Sequence, residues 1–271
     1  MGEDRGTNPQ IVRADGWPSG GRSLYLGDRV GYRTSVGSSR VSYRSDFETT
    51  LLELLDRLAD GSTIAELGAG ANPALAVHPR VLAGELKLLM IDISQEELDK
   101  APAVGQKLCL DVATKKFPLV DQVDLACSQM LAEHVRDGQQ LLRNVARLLR
   151  PGALYLQLSP TLYTLPFVVN RVLPEKVSRV LLDTFQPRDP VRRGKFPAYY
   201  SLCRGPSEKQ IERIERAGLR LVAARGYFGH SYYKRVPVLR ELEGLKSEML
   251  ARHPMPSLCS FCVYLVERPL N

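Results

Sequence analysis

The stretch Ile64-Ala-Glu-Leu-Gly-Ala-Gly-Ala-Asn-Pro73 constrains this chain more than any other. A short apolar run at residues 63–67 leads straight into glycines at 68 and 70. A chain that leaves a buried strand and turns at once needs residues without a Cβ. They reach left-handed backbone angles and let backbone N–H groups approach a ligand. The dinucleotide fingerprint G-x-G-x-x-G would place a third glycine at position 73, which is Pro73, and this argues against an NAD site. Glu66, two residues before the turn, sends a carboxylate toward the same crevice, where a cationic ligand would use one.

The turn stands in an alternating series. Residues 86–91, 107–110, 123–127, 153–158, 219–224 and 258–266 are short apolar runs. Helical patterns separate them. Ser45-x-x-Glu48 is a capping-box pattern ahead of Phe47, Leu51, Leu54, Leu55 and Leu58, with Gly61 as the stop. Residues 139–149, 207–217 and 238–250 also read as helices. Short buried strands alternating with helices are the signature of parallel βαβ units, so the expected fold class is α/β with a doubly wound sheet. Ligands are expected at the carboxyl ends of its strands. Residues 1–44 read as an N-terminal arm, and 45–271 as a single domain with insertions at about 161–206 and 227–256. The first insertion holds six prolines, too many for a plain connection.

Composition narrows the partners. With 271 residues, 44% hydrophobic and 25% charged, the chain is ordinary globular material. Five cysteines make a disulfide framework unexpected. Residues 1–15 lack the apolar core of a secretory leader, and the run 162–173 is broken by Pro166, Asn170 and Arg171, so no transmembrane segment is expected and a cytoplasmic protein is. The net charge of +7 invites an anionic partner. Residues 61–160 are nearly neutral, with ten basic and eleven acidic side chains. The excess sits in 161–206, eight against three, and in 207–252, ten against six. The acceptor side, rather than the glycine turn, is therefore expected to meet the anion.

Two further acids complete a pattern. Asp92 ends the second apolar run, where a carboxylate can accept both hydroxyls of a ribose, and Asp111 ends the third, placed to accept from an exocyclic amine. With Glu66 they describe a nucleoside that carries positive charge. Here the sequence resembles the class I S-adenosylmethionine-dependent methyltransferases. Glu66, Gly68 and Gly70 match the E-x-G-x-G of their first motif, Asp92 and Asp111 their second- and third-strand acids. Residues 123–135 resemble their fourth strand and following loop, and Arg147-Leu-Leu-Arg-Pro-Gly-Ala153 the turn before their fifth. Asn72 stands where many members have a further glycine, and Asn tolerates left-handed backbone.

The resemblance implies a seven-stranded, mostly parallel sheet with an antiparallel last strand, and insertions forming a substrate cap. It implies S-adenosyl-L-methionine as cofactor, S-adenosyl-L-homocysteine as product, and no metal. By the same resemblance Glu66, Gly68, Ala69 and Gly70 cradle the methionine moiety. Asp92 holds the ribose, Ile93 packs on adenine, Asp111 and Val112 meet the adenine edge, and Ser128 and Met130 line the floor near the sulfonium.

Catalytic candidates are His134, which follows the fourth strand, and His230 and Tyr200, which lie in aromatic clusters of the two insertions. An imidazole suits proton transfer at neutral pH; a packed or capping histidine is the plain alternative. Cys127 follows Ala126, whereas a cytosine-C5 nucleophile follows proline, so it reads as a buried thiol. The Asn/Asp-Pro-Pro-Tyr signature of amino-adenine enzymes is absent. Cys259 and Cys262 have zinc spacing without a second pair. Residues 162–185 mix apolar and basic side chains, as a substrate lid or an element touching membrane or lipid would. The expected activity is methyl transfer to O, or N, of a small molecule, anionic, sugar-, nucleotide- or lipid-linked, as in the biosynthesis of tailored metabolites. RNA methylation and a non-catalytic cofactor-binding subunit are the alternatives.

Overall fold

The computed structural model describes residues 24–26, 30–34, 42–162, 197–230 and 237–270, the first two stretches as backbone. Among the described residues, nine strands form one sheet. They are β1 Leu24–Leu26, β2 Val30–Thr34, β3 Thr63–Leu67, β4 Lys87–Asp92, β5 Gln106–Cys109, β6 Val123–Gln129, β7 Leu149–Pro160, β8 Arg220–Phe228 and β9 Phe261–Glu267. The order across the sheet is β1-β2-β8-β9-β7-β6-β3-β4-β5. From β5 to β7 every pairing is parallel, and β9 runs antiparallel between β7 and β8. This is the expected seven-stranded, mostly parallel sheet with an antiparallel last strand.

The sheet does not end there. Strand β2 pairs in parallel with β8, and β1 turns back on β2. Part of the stretch read as an arm thus belongs to the sheet; its apolar content is too low to show the strand by pattern, and a pairing partner nearly two hundred residues away decides it.

Helices cover the faces: α1 Tyr43–Asp56, α2 Pro79–Leu82, α3 Gln95–Lys100, α4 Gly138–Leu148, α5 Glu208–Glu215 and α6 Pro237–Arg252. Helix α1 starts earlier than the Ser45-x-x-Glu48 pattern suggests. Ser42 is the cap, its hydroxyl accepting from the Ser45 N–H, so Ser45 and Glu48 lie inside the first turns. It ends at Asp56, before Gly61. Asp137 caps α4 and Ser207 caps α5 in the same way, each accepting from the N–H three residues on. Strand β7 begins at Leu149 and passes through Pro151-Gly152, residues that read as a break.

Parallel strands covered on both faces must be apolar throughout. Accordingly Ile64, Ala65 and Leu67 of β3, and Leu88 through Ile91 of β4, are buried. Strand β9 is buried along its whole length. Helix α1 is fixed to this core by Tyr43, stacked on Phe261 with centroids 3.9 Å apart, and by a buried charge. Asp46 Oδ2 accepts from Arg225 Nη1 at 3.0 Å and from the Tyr227 hydroxyl. Removing one member of a buried ion pair leaves the other without its countercharge, at a cost of about 3–5 kcal/mol. Asp46→Ala should therefore lower the stability of the folded chain by about 3 kcal/mol, read from urea unfolding; a loss below about 0.5 kcal/mol would show the carboxylate to be dispensable.

Candidate active site

The carboxyl ends of β3, β4, β5 and β6 open into a cleft of about 640 Å³. Small-molecule sites typically measure roughly 300–1,000 Å³. The glycine turn makes one wall. Gly68 has φ +71° and Gly70 φ +55°, both left-handed. A Cβ on Gly68 would lie 2.9 Å from Leu131 Cδ1, so the β6 loop closes on bare backbone there. A Cβ on Gly70 would meet nothing within 4 Å, so its backbone faces open cleft. Turn and neighbouring strand are tied together, because the Gly68 and Ala69 N–H groups donate to the Ile91 carbonyl at 2.8 and 3.1 Å.

Glu66 supports this turn from behind. Its Oε1 accepts from the Ala74 N–H and its Oε2 from the Leu75 N–H, each at 2.9 Å. Both carboxylate oxygens serve the loop, and Glu66 does not line the cleft. Burial raises its pKa, and the two amides oppose that shift. Ala69 is buried in the turn and likewise stays out of the cleft.

Asp92 does line it. Its Oδ2 accepts from the Gly70 N–H and its Oδ1 from the Ser94 N–H, both at 2.9 Å. Each carboxylate oxygen has a second lone pair, enough to accept one hydroxyl each from a vicinal diol. Ile93 is 60% exposed beside it, a free apolar face for a flat ring. Asp111 and Val112 form the next wall, with Glu97 nearby. Asp111 Oδ1 accepts from the Ala113 N–H at 2.8 Å, which curls the loop. Asn144 of α4, whose importance the sequence pattern did not show, holds that loop: its amide donates to the Val112 and Thr114 carbonyls at 2.9 and 2.8 Å. An asparagine on the buried face of an amphipathic helix was the available signal.

The opposite wall comes from the loop after β6. Met130 lines the cleft with φ +57°, as do Leu131, His134 and Arg136. Residues 197–200 return to this wall and clip onto it. Tyr199 and Tyr200 N–H groups donate to the Glu133 carbonyl at 2.6 and 3.0 Å, and His134 Nδ1 lies 3.0 Å from the Pro197 carbonyl. A carbonyl only accepts, so Nδ1 carries the hydrogen, and in the neutral ring Nε2 holds the lone pair. The Arg136 guanidinium sits over the Tyr199 ring, 5.1 Å from its centroid. Left-handed backbone at a non-glycine residue is strained. Met130, Tyr200 and Leu202 all adopt it around this wall.

Besides Glu66 and Ala69, three more of the expected site residues lie outside the cleft. Tyr200 is buried behind the wall, and its neighbour Tyr199 faces the cleft instead, because the left-handed turn at 200 reverses the side chain. Ser128 is fully buried, 2.6 Å from the Tyr155 hydroxyl. His230 is buried beside α6, its Nε2 3.6 Å from Glu243 Oε1, and burial with Lys246 nearby pushes it down to about 4. Cys127 is buried with its thiol pushed well up, a poor nucleophile. Burial also pushes up the thiols of Cys259 and Cys262. Among the described residues no three His, Cys, Asp or Glu side chains gather as a metal requires.

Glu133, next to His134, is the unexpected group. It is buried, Oε2 has no hydrogen-bond partner among the described residues, and Oε1 lies 3.9 Å from His134 Nε2. Burial pushes its carboxyl from 4.5 up to about 8. The protonated form is favoured by folding, so its stabilising effect is full below the unfolded value and is lost as pH rises toward about 8. The slope is at most about 1.4 kcal/mol per pH unit. Glu133→Gln should remove that slope between pH 5 and 8, measured by urea unfolding at both; equal slopes in the two proteins would show the carboxyl to be solvated.

Residues 65–156 match the family model described as methyltransferase domain. An uncharacterised 37.1 kDa protein in transposon TN4556 of Streptomyces fradiae is 29% identical over 133 residues, 46% of this chain and 37% of that one. This chain therefore aligns with little more than a third of that relative. Two solved structures share the fold. The [4+2]-cyclase SpnF superposes with a TM-score of 0.50 at 13% identity, covering 87% of this chain and 85% of its own. The CMeT domain of the citrinin polyketide synthase does so with a TM-score of 0.50 at 16% identity, covering 84% of this chain and 52% of the other. The glycine turn, the acids at strand ends and the family match fall on the same residues. Residues 65–156 thus carry a segment similar to the methyltransferase domain, with the glycine turn and the strand-end acids inside it.

Proposed function

We propose that the protein transfers a methyl group from S-adenosylmethionine to an oxygen, or a nitrogen, of an anionic small molecule. One observation carries the reading: a single cleft has an acid-lined half and a half with His134 and Arg136. The first half suits the cofactor's nucleoside. Open backbone at Gly70 and the spare lone pairs of Asp92 fit a ribose, and Ile93 with Val112 fits the base. When bound, the cofactor supplies a methyl carbon already activated by its sulfonium.

The rest falls to this chain's own residues. The wall from Met130 to Arg136 positions the acceptor in line with that carbon, since alignment is the main protein contribution to a direct displacement. With its hydrogen on Nδ1 toward the Pro197 carbonyl, a neutral His134 ring carries its lone pair on Nε2, where it can take the acceptor's proton as the new bond forms. Arg136 offers a planar donor fork to a carboxylate or phosphate, and the basic excess of residues 161–252 supports the same choice of charge.

Because a protein named as a cyclase shares this fold, the decisive readout is the product itself. A mass-spectrometric screen of acceptors should find the gain of one methyl group with release of S-adenosylhomocysteine; cofactor binding without any methylated product would defeat the proposal. Asp92→Ala should weaken S-adenosylmethionine binding about tenfold or more by calorimetry, the loss of two charge-assisted hydrogen bonds; unchanged affinity would remove Asp92 from the ribose. Arg136→Met should raise KM for anionic acceptors about tenfold with kcat little changed, and equal KM values for charged and neutral acceptors would contradict the anionic choice.

A further inference from the structure

Glu133 has a main-chain task that its side chain does not share. Its carbonyl accepts from the Tyr199 and Tyr200 N–H groups and so clips residues 197–200 to the cleft wall. Every residue type carries that carbonyl, so the clip does not call for a carboxylate. Other buried acids of this molecule show what a supporting carboxylate looks like. Glu66 has a backbone amide on each oxygen, and Asp46 holds Arg225 and the Tyr227 hydroxyl. Glu133 is as deeply buried as these two, yet its Oε2 has no hydrogen-bond partner among the described residues. A buried polar atom without a partner weakens a fold rather than supporting it.

The groups that face this carboxyl are titratable. On its own turn, Oε1 lies 3.9 Å from Nε2 of His134, whose ring lines the cleft. Across the wall, the Cys203 thiol feels the Glu133 charge, and Arg204 acts on that thiol in the opposite sense. Among the described residues no Lys or Arg pairs with Glu133, and His134 is its ionic neighbour. Burial pushes the carboxyl up to about 8 and the Cys203 thiol further, so both are neutral at neutral pH. As the carboxyl ionises, a negative charge appears 3.9 Å from Nε2. An opposite charge so close raises the affinity of an imidazole for a proton about tenfold or more. Groups coupled this strongly titrate in steps that belong to the pair.

We propose that Glu133 is a positioning residue for His134: its buried carboxyl sets the proton affinity of Nε2, adding no charge beside the ring while neutral and making the ring a stronger base once ionised. This role rests on the reading of His134 as the group that takes the acceptor's proton.

An NMR titration of the full chain, labelled at its histidine ring carbons and without cofactor, tests it, with His134→Gln identifying the signal. In the wild-type protein the His134 ring should titrate in two steps, its own protonation and a second near pH 8 where Glu133 ionises. Glu133→Gln should lose the second step, and Glu133→Asp, with the carboxyl drawn back by one methylene, should keep it at reduced size. The wild-type curve alone carries the test if a variant folds poorly. In turnover, kcat of the wild type should rise between pH 7 and 9 about threefold more than that of Glu133→Gln, with KM alike. A single-step wild-type curve overturns this role, and methylation that persists beside it leaves the proposed reaction standing. A tenfold fall in the proton affinity of His134 in Glu133→Gln below pH 7 would show a carboxylate already ionised there, and overturns it too. A two-step curve in a chain that methylates nothing keeps the coupled pair and defeats the proposed reaction instead.

Discussion

The reversal after β3 depends on two backbone amides and one carboxylate. A loop that turns sharply at a strand end exposes N–H groups that water cannot reach, and each would be costly without a partner. Glu66 supplies both partners, to Ala74 and Leu75, and fixes the far side of the turn. The near side is fixed by Gly68 and Ala69 donating to Ile91, and by Gly70 donating to Asp92. Asp92 is thereby aimed before any ligand arrives. Without these bonds, neither the open backbone of Gly70 nor the orientation of Asp92 would persist, and the cleft would have no first wall.

The second wall is held differently. It uses long-range bonds between residues 133–134 and 197–200, and a concentration of left-handed backbone at Met130, Tyr200 and Leu202. Such strain survives only where the surroundings over-determine it. Here it turns Tyr199 toward the cleft and Tyr200 into the core, and it leaves Glu133 buried beside His134 with one oxygen unpartnered among the described residues. The wall from Met130 to Arg136 is thus the more strained one, and the wall of the glycine turn the better bonded one. That division suits a site in which one ligand chemistry is constant and the other is particular to this protein.

Much of the fold was legible because parallel strands are buried on both faces and must read as apolar runs. The order of strand, glycine turn and acid from 63 to 111 could be placed by pattern, as could α4 and α5, though not the Asp137 cap of α4. The ends of elements were less legible. Ser42 outcompetes Ser45 as the cap of α1 because the helix is anchored through Tyr43 and Asp46 to β8 and β9, contacts invisible in a local window. Strands β1 and β2 were not legible at all, since a short edge strand is defined by its partner.

By itself, then, the sequence determined the seven strands from β3 to β9, the glycine turn and the acids at the strand ends, because burial and backbone geometry leave few residue types able to stand there. Only the tertiary structure decided which side chains meet in the cleft. It turned Glu66 into the loop and Asp92 toward the cleft, moved His230 away beside Glu243, exchanged Tyr200 for Tyr199, and joined Glu133 and Arg136 to His134. The reason is that orientation within a site depends on hydrogen bonds between separate segments, 22 residues apart at Asp92 and 63 at His134, and no local pattern records where those segments come together.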